Sequence, residues 1–250
     1  MRALIFPLLL GGFLSAGSTA AAQETNSGLL TRAVEVGGES YTYQVFIPAR
    51  LAGRRDLPVI LFLHGISQRG EGGLIPAEGA AAAFARQYLE QLPAVALIPQ
   101  CRKGRYWHDP DMERMVVAEL ERTASEFGAD PKRLYLAGVS MGGFGAWHLA
   151  AAHPGKFAAV VSICGGSPLT AGDRFTPLAR KVGRTPVWVF HGSEDRVVPV
   201  SESRGMVEAL RAVEGSRVRY SEYEGVGHNV WLNALAEPGL LPWLMEQRAD

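Results

Sequence analysis

From Pro58 onward the chain alternates short, wholly apolar runs with longer stretches of mixed character. The runs are Val59–Leu63, Val95–Ile98, Leu134–Ala137, Ala159–Ser162 and Val187–Phe190. A continuous apolar run of this length predicts a strand covered on both faces, as in a parallel sheet. Helices are predicted between the runs at about 78–92, 111–127, 142–152 and 200–213. In the second of these Met115, Val116, Leu120 and Ala124 recur at helical spacing, and the third is rich in alanine. The pattern differs before residue 57. There Leu30–Val36 and Ser40–Ile47 flank Gly37-Gly38, with Val45 and Ile47 alternating with polar neighbours, and they predict an antiparallel hairpin. A last strand at Val218–Tyr223 and a helical region at about 229–247 complete the chain. Alternating β and α after a hairpin predicts one three-layer α/β domain over 29–250, with helices on both faces of a mostly parallel sheet of about eight strands.

The first residues stand apart from this pattern. Arg2 precedes an apolar run from Ala3 to Leu14, and a small-residue stretch ends at Ala20-Ala21-Ala22. This is the layout of a cleavable signal peptide spanning 1–22, with 23–28 a short segment before the domain. The run is shorter than the ~20 residues a membrane span needs, so the expected product is secreted or periplasmic, without a stable membrane anchor. Composition adds an exclusion. With 25 basic and 25 acidic side chains and a formal net charge of zero, the chain lacks the electrostatic footprint of a nucleic-acid binder.

Candidate chemistry begins at Ser140, in the G-x-S-x-G pentapeptide Gly138-Val139-Ser140-Met141-Gly142. The pentapeptide alone is a weak signal, and a capping serine in a glycine-rich turn would also satisfy it. Its setting strengthens it, because a predicted buried strand enters directly and a predicted helix leaves, as a nucleophile elbow requires. A serine hydroxyl needs a base to take its proton and an acid to orient that base. Of the six histidines, His64 and His191 precede glycines at strand ends and read as turn residues. His148 and His153 fall in or at the end of a helix, and His108 lies in a loop. His228, in Gly225-Val226-Gly227-His228-Asn229, lies in a loop after the last strand and downstream of a credible acid. Asp195 and Glu194 are adjacent, so spacing does not choose between them; Asp195 is favoured. Oxyanion donors are expected from the Met141 N–H and from the loop His64–Gly70, with Ile66 N–H first and Ser67 behind it. That loop lacks the Gly-Lys-Ser/Thr ending of a phosphate-binding loop, and no H-E-x-x-H occurs, so neither a metal nor a cofactor is expected.

Together, Leu63-His64-Gly65, Gly138–Gly143, His191-Gly192-Ser193-Glu194-Asp195 and Gly227-His228 resemble an α/β-hydrolase. More narrowly, the set is similar to cap-less carboxylesterases of the prolyl-oligopeptidase-like and phospholipase/carboxylesterase-like group, which includes feruloyl-esterase and polyhydroxybutyrate-depolymerase relatives. Ser67–Glu71 resembles the Gly-Glu-Arg-Gly loop of that group, with Gln68 where Glu is usual. The resemblance implies a triad of Ser140, Asp195 and His228 at the carboxyl ends of the strands. It also implies that two strands separate Cys101 from Cys164, ~14 Å at ~4.8 Å per strand, too far for the ~7 Å Cα limit of a disulfide.

Only about twenty residues (165–185) separate the fourth and fifth apolar runs, too few for a large helical lid. An open site is expected, suited to short-chain, aryl or polymer-linked esters. Tyr106, Trp107 and Trp231 are expected to wall a substrate pocket, with core packing the other account of these rings. Arg102, Lys103 and Arg105 read as a solvated rim. A peptidase or acyltransferase of the same fold is the alternative, and a non-catalytic binding module a weaker one.

Overall fold

The hairpin expected at Gly37-Gly38 forms from β1 (Gly28–Val36) and β2 (Glu39–Ile47), paired antiparallel. The computed structural model describes residues 27–73 and 91–250, together with Phe84 and Tyr88. The expected signal segment and most of the helix expected at 78–92 lie outside the described residues.

Each apolar run lies within a strand: β3 (Leu57–Leu63), β4 (Val95–Ile98), β5 (Ala129–Val139), β6 (Ala159–Ile163) and β7 (Val187–Gly192), followed by β8 (Val218–Tyr223). The sheet order is β1-β2-β4-β3-β5-β6-β7-β8. Strands β3 to β8 are parallel, and β2 is antiparallel to both its neighbours.

The double covering inferred from the apolar runs is what the packing shows. Val59, Leu61 and Leu63 point into one core layer with Leu134, Leu136, Val187 and Val189. Ile60 and Phe62 point into the other with Tyr135, Ala137, Trp188 and Phe190. The first layer is covered by α1 (Pro110–Phe127), α2 (Met141–Ala152), α3 (Thr176–Val182) and α4 (Ser201–Arg211). The second is covered by α5 (Trp231–Ala236) and α6 (Leu240–Glu246).

Three departures from the pattern have physical causes. The helical region at 229–247 divides in two, because Pro238-Gly239 cannot continue a helix. The seven-residue α3 is too short to show helical periodicity. Strand β5 starts at Ala129, five polar or small residues ahead of its apolar run, where Ala129 pairs with Leu57 across a register shift.

Strand β3 has β4 on one side and β5 on the other, so the chain order reverses beside it. A crevice at the carboxyl ends of strands is built at such a reversal. Between β6 and β7 the short α3 is the one helix, so no large cap is inserted above those ends.

Candidate active site

The turn from β5 into α2 carries Ser140 with φ 54° and ψ −119°, a conformation costing of order 1–3 kcal/mol that surrounding contacts must impose. Those contacts are visible. Ser140 N–H donates to Ile163 O at 2.9 Å, and Ser140 O accepts from the N–H groups of Gly143 and Phe144 at 2.7 and 3.1 Å. The flanking glycines make the turn possible: a Cβ on Gly138 would collide with Gly142 O, and one on Gly142 with Leu63 O. The result presents the hydroxyl at the sheet's carboxyl edge.

Ser140 Oγ–H donates to His228 Nε2 at 2.9 Å, and His228 Nδ1–H donates to Asp195 Oδ2 at 2.7 Å. Asp195 Oδ1 accepts the N–H groups of Val197 and Val198 at 2.8 and 2.9 Å. Burial pushes the Asp195 carboxyl up, but the bonds from His228 and these two amides outweigh it and hold it below its ordinary value. Glu194 is exposed. The choice between the adjacent acids therefore falls on Asp195, through a local turn that spacing does not reveal. The His228 loop is stitched to the acid loop by Glu194 N–H to Val226 O at 3.0 Å and Gly225 N–H to Ser193 Oγ at 2.9 Å. Gly192 permits this approach, since a Cβ there would meet Val226 O. Ser140, His228 and Asp195 form a serine-hydrolase triad at a nucleophile elbow. His228 keeps 21% of its side chain exposed, so the base is reachable from solvent while its acid is not.

The other histidines are engaged elsewhere. His148 and His153 Nε2 lie 2.7 and 3.0 Å from the two carboxylate oxygens of Glu113, tying α2 to α1. His64 is buried. Its Nδ1–H donates to Gly65 O at 2.7 Å, and its Nε2 accepts Cys101 N–H at 3.1 Å. Burial lowers its pKa to about 4, so it is a neutral tie between the loops after β3 and β4. His191 lies against Asp195, a contact the sequence reading of a turn residue missed.

The loop expected to hold the oxyanion lies against the nucleophile: a Cβ built on Gly65 would sit 3.7 Å from Ser140 Cβ. Ile66 opens a single 3-10 turn, Ile66–Gln68, and is 46% exposed. Met141 is the first residue of α2, where no preceding turn supplies its N–H with a carbonyl.

The aromatic residues divide. Trp107 is fully buried, and its indole N–H donates to His64 O at 3.0 Å. It anchors the β3 loop from below and is core, so the expectation of a pocket wall is corrected at this position. Tyr106 is 43% exposed, with its ring stacked on His108 at 5.5 Å, and the Trp231 ring stands edge-on to His228 at 6.0 Å. Arg102 pairs with Glu39, and Arg105 with Asp109 and Asp111, so these rim cations are neutralised. Cys164 and Cys101 are free, buried and on opposite core layers. Cys164 Sγ–H donates to His228 O at 3.7 Å, and burial pushes its thiol up, so it packs beneath the triad as a thiol.

Residues 103–237, more than half of the chain and including all three triad members, match the Phospholipase/Carboxylesterase family. The chain belongs to that family. The phospholipase/carboxylesterase match begins after the loop expected to hold the oxyanion. NocK of Nocardia uniformis subsp. tsuyamanensis is 33% identical over 180 residues, covering 67% of this chain and 49% of its own length. Esterase LipC of Mycobacterium tuberculosis is 46% identical over 54 residues, which are 21% of this chain and 13% of that protein. The chain thus spans about half or less of the curated relatives it matches. The crystal structure of a thermostable esterase superposes with a TM-score of 0.77 at 29% identity, covering 90% of this chain and 64% of that one. Among the described residues of this phospholipase/carboxylesterase relative, no helix is long and apolar enough to cross a membrane.

Proposed function

We propose that the protein is an exported serine carboxylic-ester hydrolase acting on short-chain, aryl or polymer-linked esters. The observation that carries this is the continuous Ser140–His228–Asp195 hydrogen-bond chain at a carboxyl edge without a large cap, where an ester can approach from solvent. Ser140 Oγ attacks the ester carbonyl carbon as its proton passes to His228 Nε2. The carbonyl oxygen becomes an oxyanion held by Met141 N–H and Ile66 N–H. Collapse expels the alcohol, which takes the proton from His228 and leaves the acyl group on Ser140. Water then attacks the acyl-enzyme with His228 again as base, releasing the acid. Asp195 stays ionised throughout and stabilises the imidazolium. Trp231, edge-on to His228, and the half-exposed ring of Tyr106 are assigned as apolar surface for an acyl or aryl group.

The test is a panel of nitrophenyl esters of rising acyl length beside aminoacyl and prolyl anilides, with wild type and Ser140→Ala. Acetate or butyrate esters should turn over fastest, and Ser140→Ala should lose at least ~10³-fold. Anilide turnover without ester turnover would sink the ester reading in favour of a peptidase. Export is supported by Arg2, the apolar Ala3–Leu14 run and Ala20-Ala21-Ala22. Amino-terminal sequencing of the exported protein should begin at Gln23; a product that keeps Met1 overturns cleavage.

A further inference from the structure

Beside the triad acid lies a second imidazole that the hydrolytic steps leave unused. His191, fully buried near the end of β7, places Nε2 2.9 Å from Val198 O and 3.3 Å from Asp195 Oδ2. Both neighbours are acceptors, so Nε2 carries the hydrogen and donates to them. On the far side of the ring, Nδ1 lies 2.6 Å from Ser203 Oγ, which is itself 3.4 Å from Gly165 O. Ser203 is buried in the first turn of α4. Burial holds the His191 imidazole below its ordinary value. The neutral ring therefore accepts the Ser203 hydroxyl at Nδ1 and gives its one N–H to Val198 and Asp195. Asp195 Oδ2 thus takes the His228 N–H at 2.7 Å and is faced by the His191 N–H at 3.3 Å.

We propose that His191, held by Ser203, is a positioning residue that fixes Asp195 Oδ2, shares its charge and so limits how strongly the acid pulls on the His228 N–H. A neutral donor stabilises a carboxylate shielded from water at the expense of other donors. Without it, the anion would draw harder on the His228 N–H and favour the protonated imidazole, which cannot take a proton from Ser140. The charged and titratable groups around His191 suit a fixed role. Glu222 pairs with His191 across β7 and β8, but Arg204 of α4 and Tyr220 of β8 already bind its carboxylate. Asp195 and His228 also act on the ring, and the Cys164 thiol lies against His228 O.

This inference rests on the triad and not on the ester substrate, so the test uses diisopropyl fluorophosphate. In that reaction Ser140 Oγ bonds to phosphorus, fluoride leaves and the serine proton passes to His228. The second-order inactivation rate is measured against pH for wild type, His191→Phe, His191→Gln and Ser203→Ala. His191→Phe should slow inactivation ~10-fold near neutral pH and move the midpoint of the acid limb up by about half a pH unit or more. The Gln amide N–H can reach the same acceptors, so His191→Gln should restore most of both. Ser203→Ala, a milder change, should move the midpoint the same way by less, and it decides the matter if His191→Phe does not fold. A role in packing alone would lower the rate at every pH with the midpoint fixed. An unmoved midpoint in the folded variants overturns the proposal. Failure of wild type to be phosphorylated at Ser140 overturns the triad reading itself.

Discussion

The proposed oxyanion role of the loop after β3 can be probed at a single backbone atom because of where Ile66 stands. It is the first residue of a 3-10 turn, and Gly65 before it is extended at φ −76° and ψ 173°. Proline is tolerated at the first position of a helical turn, and it favours an extended residue before it. Ile66→Pro therefore deletes the N–H with little change to the fold. If that N–H holds the oxyanion, kcat should fall ~10²-fold or more, with KM and melting temperature little altered. Unchanged kcat would move the role elsewhere in the loop. What could be read of the site at this scale follows from how each residue is held. Ser140 and His228 were legible because strand–turn–helix context and chain order single them out. Asp195 was only half legible, since its advantage over Glu194 lies in the two amides that cap its carboxylate. His191 was misread because a histidine before a glycine signals a turn, while its bond to Ser203 spans twelve positions. Trp107 looked like a pocket ring because sequence locates a loop residue without saying which side of the loop it faces.

At the scale of elements, helix α1 combines a legible apolar face with one residue that violates it. Glu119 lies among Met115, Val116, Leu120 and Thr123, fully buried, and its carboxylate oxygens have no hydrogen-bond partner among the described residues. Burial raises its pKa well above the ordinary carboxyl value, so the folded protein keeps a proton there that the unfolded chain releases. The sign follows from linkage. A raised carboxyl pKa leaves stability intact below the unfolded value near ~4.3 and erodes it as pH rises toward the folded value. Glu119→Leu should consequently stabilise the protein by about 1–3 kcal/mol at pH 7, a rise of roughly 2–4 °C per kcal/mol in melting temperature. The gain should shrink as pH is lowered toward 4.5. Thermal unfolding of both proteins across that range checks it, and a variant that melts lower at pH 7 would mean the carboxyl has a partner after all. Periodicity found this helix because its face is otherwise regular. It could not find α3, which makes only two turns, or the polar start of β5, whose pairing is set by β3.

For the whole molecule, strand order decides the fate of the two cysteines. Cys101 follows β4 and Cys164 follows β6, and β3 and β5 lie between those strands. At ~4.8 Å per strand the anchors are ~14 Å apart, twice the ~7 Å that a disulfide spans. The two also point into opposite core layers, which no movement of the loops alone would reconcile. An oxidising compartment, the setting in which disulfides form, would leave this pair reduced. Burial reinforces the geometry by suppressing the thiolate, the reactive form: it pushes the Cys101 thiol up to about 12 and the Cys164 thiol up as well. Titration of the purified, unreduced protein with an aromatic disulfide reagent at pH 8 should therefore find no reactive thiol in the native state. The same protein in guanidinium should show both of its 2 cysteines, with or without prior reductant. Zero thiols after unfolding without reductant would require a bond that this strand order forbids, and would overturn the order β4-β3-β5-β6. Rapid reaction of one thiol in the native protein would instead open the core layer that holds it. Either result bears directly on the sheet that carries Ser140, His228 and Asp195 at its carboxyl edge, because β5, which delivers Ser140, is one of the two strands that hold the cysteines apart.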